Sequence, residues 1–87
     1  MSDVKITKEH INKLIAKSHS DDIKMGNKTT VVHLTLPCGF SLIESSSCVD
    51  PENYDHELGV QICMRRIEDK IWELEGYRLQ CETQNKS

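Results

Sequence analysis

The chain has 87 residues, a net charge of −3 and charged side chains at 29% of its positions. The negative charge argues against tight, non-specific binding to nucleic acid, which needs clustered lysines and arginines. No apolar run approaches the roughly 18 residues that a membrane helix needs, so a membrane-spanning protein is not expected.

A chain of this length forms one domain, and we interpret residues 1–87 as a single small α+β domain with frayed ends at 1–6 and 82–87. Such a domain buries only about 60–65% of the surface that its unfolded chain exposes, so the core of a monomer is thin and a partner surface is expected. The first ten residues lack the apolar segment of a secretory signal. We therefore expect the protein to stay in the cytoplasm where it is made.

A short first helix is predicted to begin after Thr7, whose side chain suits an N-cap. Ile11, Leu14 and Ile15 follow at helical spacing and form one apolar face. Turn-forming residues from Ser18 onward predict that this helix ends near Ser18 to Ser20, and that 20–27 is a loop.

A β-hairpin is predicted next, because residues 28–36 alternate β-branched and polar side chains, with Thr30, Val32, Leu34 and Leu36 on the drier face. Pro37-Cys38-Gly39 predicts the turn, and the return strand runs from Phe40 to about Ser47. This register places Leu34 opposite Leu42, Val32 opposite Glu44 and His33 opposite Ile43. Two strands are marginally stable in water, so the hairpin must pack on helices or pair with another copy.

A long helix is predicted from Asp50-Pro51-Glu52, which combines an N-cap with a proline at the first turn, to Gly76, which favours a stop. One of its faces is expected to cover the hairpin and carries Val60, Cys63, Met64, Ile67, Ile71 and Leu74. Residues 77–81 are predicted to form a brief strand or an extended tail.

A second, sparser face of the long helix is the predicted partner-binding surface. It consists of Tyr54, Leu58, Ile62, Arg65, Asp69 and Trp72. The first helix is expected to cover part of it with Ile11, Leu14 and Ile15. Trp72 is expected either to lock the helix end into the core or to anchor a partner, because Trp dominates many binding hot spots.

The fold class that these elements predict is α+β in the order α-β-β-α, with a two-stranded antiparallel hairpin packed on one long and one short helix. A homodimer is also predicted, because one chain covers neither the hairpin nor the second helix face completely.

Catalytic chemistry has one candidate in the sequence, the thiol of Cys48 with the imidazole of His56 and the carboxylate of Asp50. A cysteine nucleophile needs a histidine within hydrogen-bond reach, whereas Asp50 already has a complete explanation as a helix cap. The four cysteines and four histidines do not show the spacing of zinc ligands. We therefore predict no enzyme activity, no catalytic residues, no metal and no cofactor.

The sequence resembles a family of small tailed-phage and prophage proteins named after gene product forty-nine of one coliphage and gene sixty-six of a Shigella phage. The resemblance rests on residues 48–55, on Glu57 and Gly59, and on the Lys-Ile-Trp-Glu-Leu-Glu-Gly-Tyr run at 70–77. The Leu34-Thr35-Leu36 run and the Gly39-Phe40 pair of the hairpin also match. The chain differs from the family in having Cys38 before the turn glycine and Glu73 after the tryptophan. The resemblance implies a small accessory protein made in an infected bacterium, and it supplies no active site.

We predict a non-enzymatic phage accessory protein that binds and modulates a host or host-defence protein in the host cytoplasm, for example as an anti-restriction or anti-CRISPR inhibitor. The alternative is an oligomer that binds or sequesters a nucleotide or another anion. In that case a pocket between subunits would use Arg65, Arg66 and His33.

Overall fold

A three-stranded antiparallel sheet lies against two helices in the computed structural model, which describes residues 5–85. The elements follow in the order α1 (Lys8–Ala16), β1 (His19–Met25), β2 (Thr29–Thr35), β3 (Ser41–Ser47), a single 3-10 turn (Pro51–Asn53) and α2 (His56–Asn85). The predicted α+β class is confirmed, but the sheet has three strands and not the predicted two, because β1 also pairs with β2.

The additional strand, β1, occupies most of the segment 20–27 that the sequence predicts to be a loop. Its register places Ile23 opposite Val31 and Met25 opposite Thr29. Every residue of β1 is exposed, because α2 packs on β2 and β3. A strand without a buried face does not need apolar residues at alternate positions, so its sequence gives little signal from which the strand can be predicted.

The predicted hairpin is confirmed as β2 and β3, with Leu34 opposite Leu42 and His33 opposite Ile43. At the turn, the Leu36 N–H donates to the Phe40 carbonyl and the Gly39 N–H donates to the Leu36 carbonyl, both at 2.8 Å. Gly39 has a φ of 96°, a left-handed conformation that favours glycine.

The long helix begins and ends later than predicted. Asp50-Pro51-Glu52 starts the 3-10 turn instead, with the Asp50 carboxylate accepting from the Glu52 N–H at 3.0 Å. The Asp55 carboxylate then accepts from the Leu58 N–H at 3.2 Å and caps α2. At the other end, α2 continues through Gly76 to Asn85.

The predicted stop at Gly76 and the predicted strand or tail at 77–81 are therefore wrong. Glycine costs about 1 kcal/mol inside a helix, which neighbouring contacts can offset, and Arg78 bridges Glu75 and Glu82 along this stretch. Residues 82–85 are helical, whereas 1–4 and 86–87 lie outside the described residues. The predicted fraying at 1–4 and 86–87 thus falls outside the described part of the chain.

The core forms where α2 crosses β2. It consists of Ile11, Val32, Leu34, Leu36, Cys63, Ile67 and Ile71. Val60 and Met64 pack on it while partly buried. Leu74 was predicted to share this face, but it is 37% exposed and does not belong to the core.

The first helix lies beside α2, and its predicted N-cap is confirmed, with the Thr7 hydroxyl accepting from the His10 N–H. It ends at Ala16, slightly earlier than predicted. Ile11 is fully buried, while Lys8 pairs with Glu68 and His10 with Glu75 of α2. Within residues 5–85, neither helix combines the length and the apolar character needed to cross a membrane.

Candidate functional site

A chain of four hydrogen-bonded side chains runs from the exposed strand β1 into the core at the start of α2. Asp22 Oδ2 lies 2.6 Å from His56 Nε2. His56 Nδ1 lies 2.8 Å from the Tyr54 hydroxyl, which lies 2.7 Å from Thr30 Oγ1. The chain links β1 and β2 to the segment between the 3-10 turn and α2, because Tyr54 follows the turn and His56 begins α2.

The donors and acceptors of this chain fit together when His56 is neutral and carries its proton on Nε2. Nε2 then donates to Asp22, and Nδ1 accepts from the Tyr54 hydroxyl. In this arrangement the Thr30 hydroxyl donates to the Tyr54 oxygen. Thr30 itself is fully buried. The arrangement satisfies a buried hydroxyl, which is costly to leave unpaired. Its clearest role is to hold the 3-10 turn and α2 onto the sheet.

A small cavity lies beside Tyr54, between the 3-10 turn and the ends of β2 and β3. Its volume is about 100 Å³, and Lys28, Cys48, Leu58 and Ile62 are among its lining residues. Pockets for small molecules usually measure about 300–1,000 Å³. This cavity is therefore too small for a nucleotide.

The candidate nucleophile Cys48 and the candidate base His56 have different partners. The Cys48 thiol contacts the Asp50 carbonyl oxygen at 3.2 Å. Both ring nitrogens of His56 are taken by Tyr54 and Asp22. The hydrogen bond between Cys48 and His56 that nucleophilic catalysis requires is not formed.

The predicted partner-binding surface divides among three environments. Tyr54, Leu58 and Ile62 line the small cavity, and Leu58 is 52% exposed. Arg65 lies in a groove of about 510 Å³ between α1 and α2, next to Lys8. The remaining two residues are Asp69, which is exposed, and Trp72, which packs on the core.

The predicted anion contacts lie on different surfaces of one chain. Arg65 faces the groove between the helices, while the Arg66 guanidinium donates to the Ser45 carbonyl at 2.8 Å. His33 lies between the buried Val32 and Leu34 on β2, so it points to the opposite face of the sheet. Within one chain, the three side chains do not form a common pocket.

An apolar patch on the uncovered face of the sheet was missed by the sequence analysis. This outer sheet face carries Ile23, Met25, Val31 and Ile43, and its exposed fractions are 51% at Ile23, 56% at Met25 and 59% at Ile43. Met25, Val31 and Ile43 border an open groove of about 410 Å³. Ile23 and Met25 lie two residues apart, which is the spacing of one face of a strand, and this was the available signal for the patch. The signal is weak because the other residues of the strand are polar.

Metal ligands do not cluster in the described part of the chain, where no three His, Cys, Asp or Glu side chains converge. Its four cysteines are free thiols. Burial raises the pKa of the Cys63 thiol above its usual value, although the nearby Arg66 acts in the opposite direction. Cys63 thus behaves as a small apolar core residue.

Comparison with known proteins places the chain in a family. Residues 6–83, which include all three strands and most of α2, match the family described as Phage protein (N4 Gp49/phage Sf6 gene 66). No curated protein and no solved structure gives a significant match. The suspected resemblance is confirmed, and the chain belongs to the Phage protein (N4 Gp49/phage Sf6 gene 66) family.

Proposed function

We propose that this phage protein is a non-enzymatic accessory protein that binds and modulates a host protein in the host cytoplasm. The observation that carries the proposal is the outer sheet face, where Ile23, Met25 and Ile43 are each more than half exposed. Contiguous exposed apolar side chains on a small protein typically mark an interaction surface.

The composition of the outer sheet face suits a protein partner. Its apolar centre is bordered by the polar side chains of Asp21, His33 and Ser45, which follow from the strand register. An apolar centre within a polar rim is the usual arrangement of protein interfaces. The groove beside Ile43 is open, so it suits a protruding side chain of a partner better than an enclosed metabolite.

The charge of the protein favours a partner with a basic surface. A net charge of −3 on 87 residues attracts positively charged surfaces and accelerates association with them. Host-defence nucleases have basic grooves for nucleic acid, and an acidic protein can occupy such a groove. An anti-restriction or anti-CRISPR inhibitor is the specific form of the proposal.

The α2 surface around Leu58 remains a second predicted contact region, and three lysine substitutions separate it from the outer sheet face. Ile43→Lys changes the outer sheet face, Leu58→Lys changes the α2 surface, and Val49→Lys is the matched control in an exposed loop. Each replaces an exposed apolar side chain with the same charged one. Circular dichroism establishes that all three variants fold.

Affinity capture from host lysate, followed by calorimetry with the purified partner, tests the proposal. We expect wild type and Val49→Lys to bind one partner stoichiometrically, and Ile43→Lys to bind it about tenfold or more weakly, equivalent to about 1.4 kcal/mol. Equal binding by all four proteins would contradict the assignment of the outer sheet face. A loss confined to Leu58→Lys would move the site to α2. The absence of a stoichiometric partner in several hosts would contradict the function itself.

The alternative function, an oligomer that binds or sequesters an anion or nucleotide, is supported by the groove between the helices. This groove is as open as the one on the sheet, but its volume of about 510 Å³ is in the range of small-molecule sites, and Arg65 supplies a positive charge beside the Lys8–Glu68 ion pair. Melting curves with a panel of nucleotides and inorganic phosphate test this alternative. A ligand at 100 times its Kd should stabilise the fold by about 2.7 kcal/mol, and Arg65→Ala should abolish that gain. An unchanged melting temperature with every ligand would exclude it.

A further inference from the structure

The outer edge of β1 is an unpaired strand edge whose free backbone groups can be identified from the ladder of hydrogen bonds. The Cys48 N–H donates to the Lys28 carbonyl, and the Leu36 N–H donates to the Phe40 carbonyl. Even-numbered residues of β2 therefore bond to β3, because hydrogen-bonding direction alternates along an antiparallel strand. Odd-numbered residues of β2 bond to β1.

The same alternation gives the direction of each backbone group in β1. Val31 is opposite Ile23 and Thr29 is opposite Met25, so these odd-numbered residues of β1 are bonded to β2. The N–H and C=O groups of Ser20, Asp22 and Lys24 consequently point away from the sheet. All seven residues of β1 are exposed, so this edge is accessible.

An edge of this kind can pair with another strand, and charged side chains usually prevent such pairing. The charges of β1 are self-complementary in one register. When two copies of β1 meet antiparallel about a twofold axis at Ile23, Asp22 lies opposite Lys24 of the partner subunit, and Lys24 lies opposite Asp22 of the partner subunit. Registers centred on Asp22 or on Lys24 place like charges opposite each other, which is destabilising.

We propose that two copies of this chain pair through the outer edges of β1, in the register centred on Ile23, and form a continuous six-stranded antiparallel sheet. The free groups of Asp22 and Lys24 then bond to their counterparts in the partner, in agreement with their outward direction. The two Ile23 side chains meet at the non-hydrogen-bonded position, where opposite side chains are closest.

The side chains around this edge are compatible with the pairing. Asp22 uses Oδ2 for His56, which leaves Oδ1 for Lys24 of the partner subunit. The Lys24 ammonium lies 4.9 Å from the centre of the Tyr54 ring, so it is on the same face of the sheet as Asp22. Ile23 lies on the opposite face of the sheet, where the pairing brings the outer sheet faces of the two subunits together. Dimer formation needs no host protein, so it can fail while the proposed function holds.

Hydrogen exchange on the wild-type protein tests the interface without any substitution. Between low micromolar and millimolar concentration, we expect the amides of Asp22 and Lys24 to exchange about tenfold or more slowly. The Ile23 amide should show little of this concentration dependence, because β2 already holds it in the monomer. Light scattering over the same range should approach twice the 10.0 kDa monomer mass. A monomer at every concentration would overturn the proposal, as would a dimer in which the Asp22 and Lys24 amides stay unprotected.

Charge-reversal variants then test the register. Asp22→Lys and Lys24→Glu each place like charges opposite one another twice, so each variant alone should dimerise at least about tenfold more weakly. An equimolar mixture of the two variants restores both opposite-charge pairs and should form a heterodimer. Lys5→Glu and Glu73→Lys, which change exposed residues outside the sheet by the same charges, should dimerise like wild type.

The mixture distinguishes the register from a general loss of folding. If both single variants still dimerise as tightly as wild type, or if the folded variants form no heterodimer when mixed, the proposed register is wrong. Circular dichroism establishes folding, and a variant that does not fold leaves the exchange experiment on wild type to decide the proposal.

Discussion

Gly59 and Thr30 lie in direct contact where α2 crosses β2. A Cβ at Gly59 would be 2.2 Å from Thr30 Oγ1 and 2.7 Å from Thr30 Cβ, and both residues are buried. The helix can approach the strand this closely only because Gly59 has no side chain. The same contact holds Thr30 Oγ1 where it reaches the Tyr54 hydroxyl.

Gly59→Ala is predicted to lower the free energy of unfolding, by about 1–3 kcal/mol, because the added methyl group forces α2 away from β2. The matched control is Gly76→Ala, at a helical position with no neighbouring atom within 4 Å of a new Cβ. That change should raise the free energy of unfolding by about 0.5–1 kcal/mol through helix propensity. Urea unfolding measures both, and a stabilising Gly59→Ala would contradict the close contact.

Tyr54→Phe is predicted to destabilise the protein by about 1–3 kcal/mol, because it leaves the buried Thr30 hydroxyl without its partner. Tyr77→Phe removes the same hydroxyl from a tyrosine that is 72% exposed, so its effect should stay within about 0.5 kcal/mol. Denaturant unfolding of the two variants gives the comparison. Equal effects would show that the chain of hydrogen bonds adds no stability.

Acidification is predicted to destabilise the contact between α1 and α2. Burial alone would raise the pKa of Glu75, but hydrogen bonds from Arg78 and His10 outweigh it, and the pKa falls below 4.5. Because the folded-state pKa is lower than the unfolded one, the stabilisation is present above about pH 4.5 and is lost as pH falls through the folded value.

Urea unfolding from about pH 6 to about pH 3 measures this loss. Glu75→Gln should reduce stability at the upper end and flatten the decline at the lower end. Glu73→Gln, which changes an exposed neighbour on the same helix, should leave the pH profile unchanged. An identical profile in Glu75→Gln would contradict a role for this carboxylate.

Thiol labelling is predicted to follow exposure. Cys38 is exposed and should react first with iodoacetamide, whereas Cys63 is fully buried and should react last. The raised pKa of Cys63 further reduces its thiolate fraction at neutral pH. Cys48 should react no faster than Cys38, and mass spectrometry of digests gives the order. A Cys48 that is far more reactive than Cys38 would contradict the proposal that the protein is not an enzyme.

Local sequence patterns predicted the elements that carry a buried face. The alternation of Thr30, Val32 and Leu34 located β2, and the turn at 37–39 determined its register with β3, because that pairing depends on neighbouring residues. The spacing of Cys63, Ile67 and Ile71 likewise located the buried stripe of α2. The family followed from short runs of residues that needed no structure.

The tertiary structure alone decided the features that depend on distant pairing. β1 is a strand because β2 offers it a ladder of backbone hydrogen bonds, and its own side chains remain in water. The Tyr54 hydroxyl is hydrogen-bonded to Thr30 and His56 and is not part of a free partner surface, because the chain bends between the 3-10 turn and α2. The outer sheet face exists because the described helices pack on one side of the sheet. Backbone pairing leaves little trace in side-chain patterns, which record burial, and so these features could not be read from the sequence.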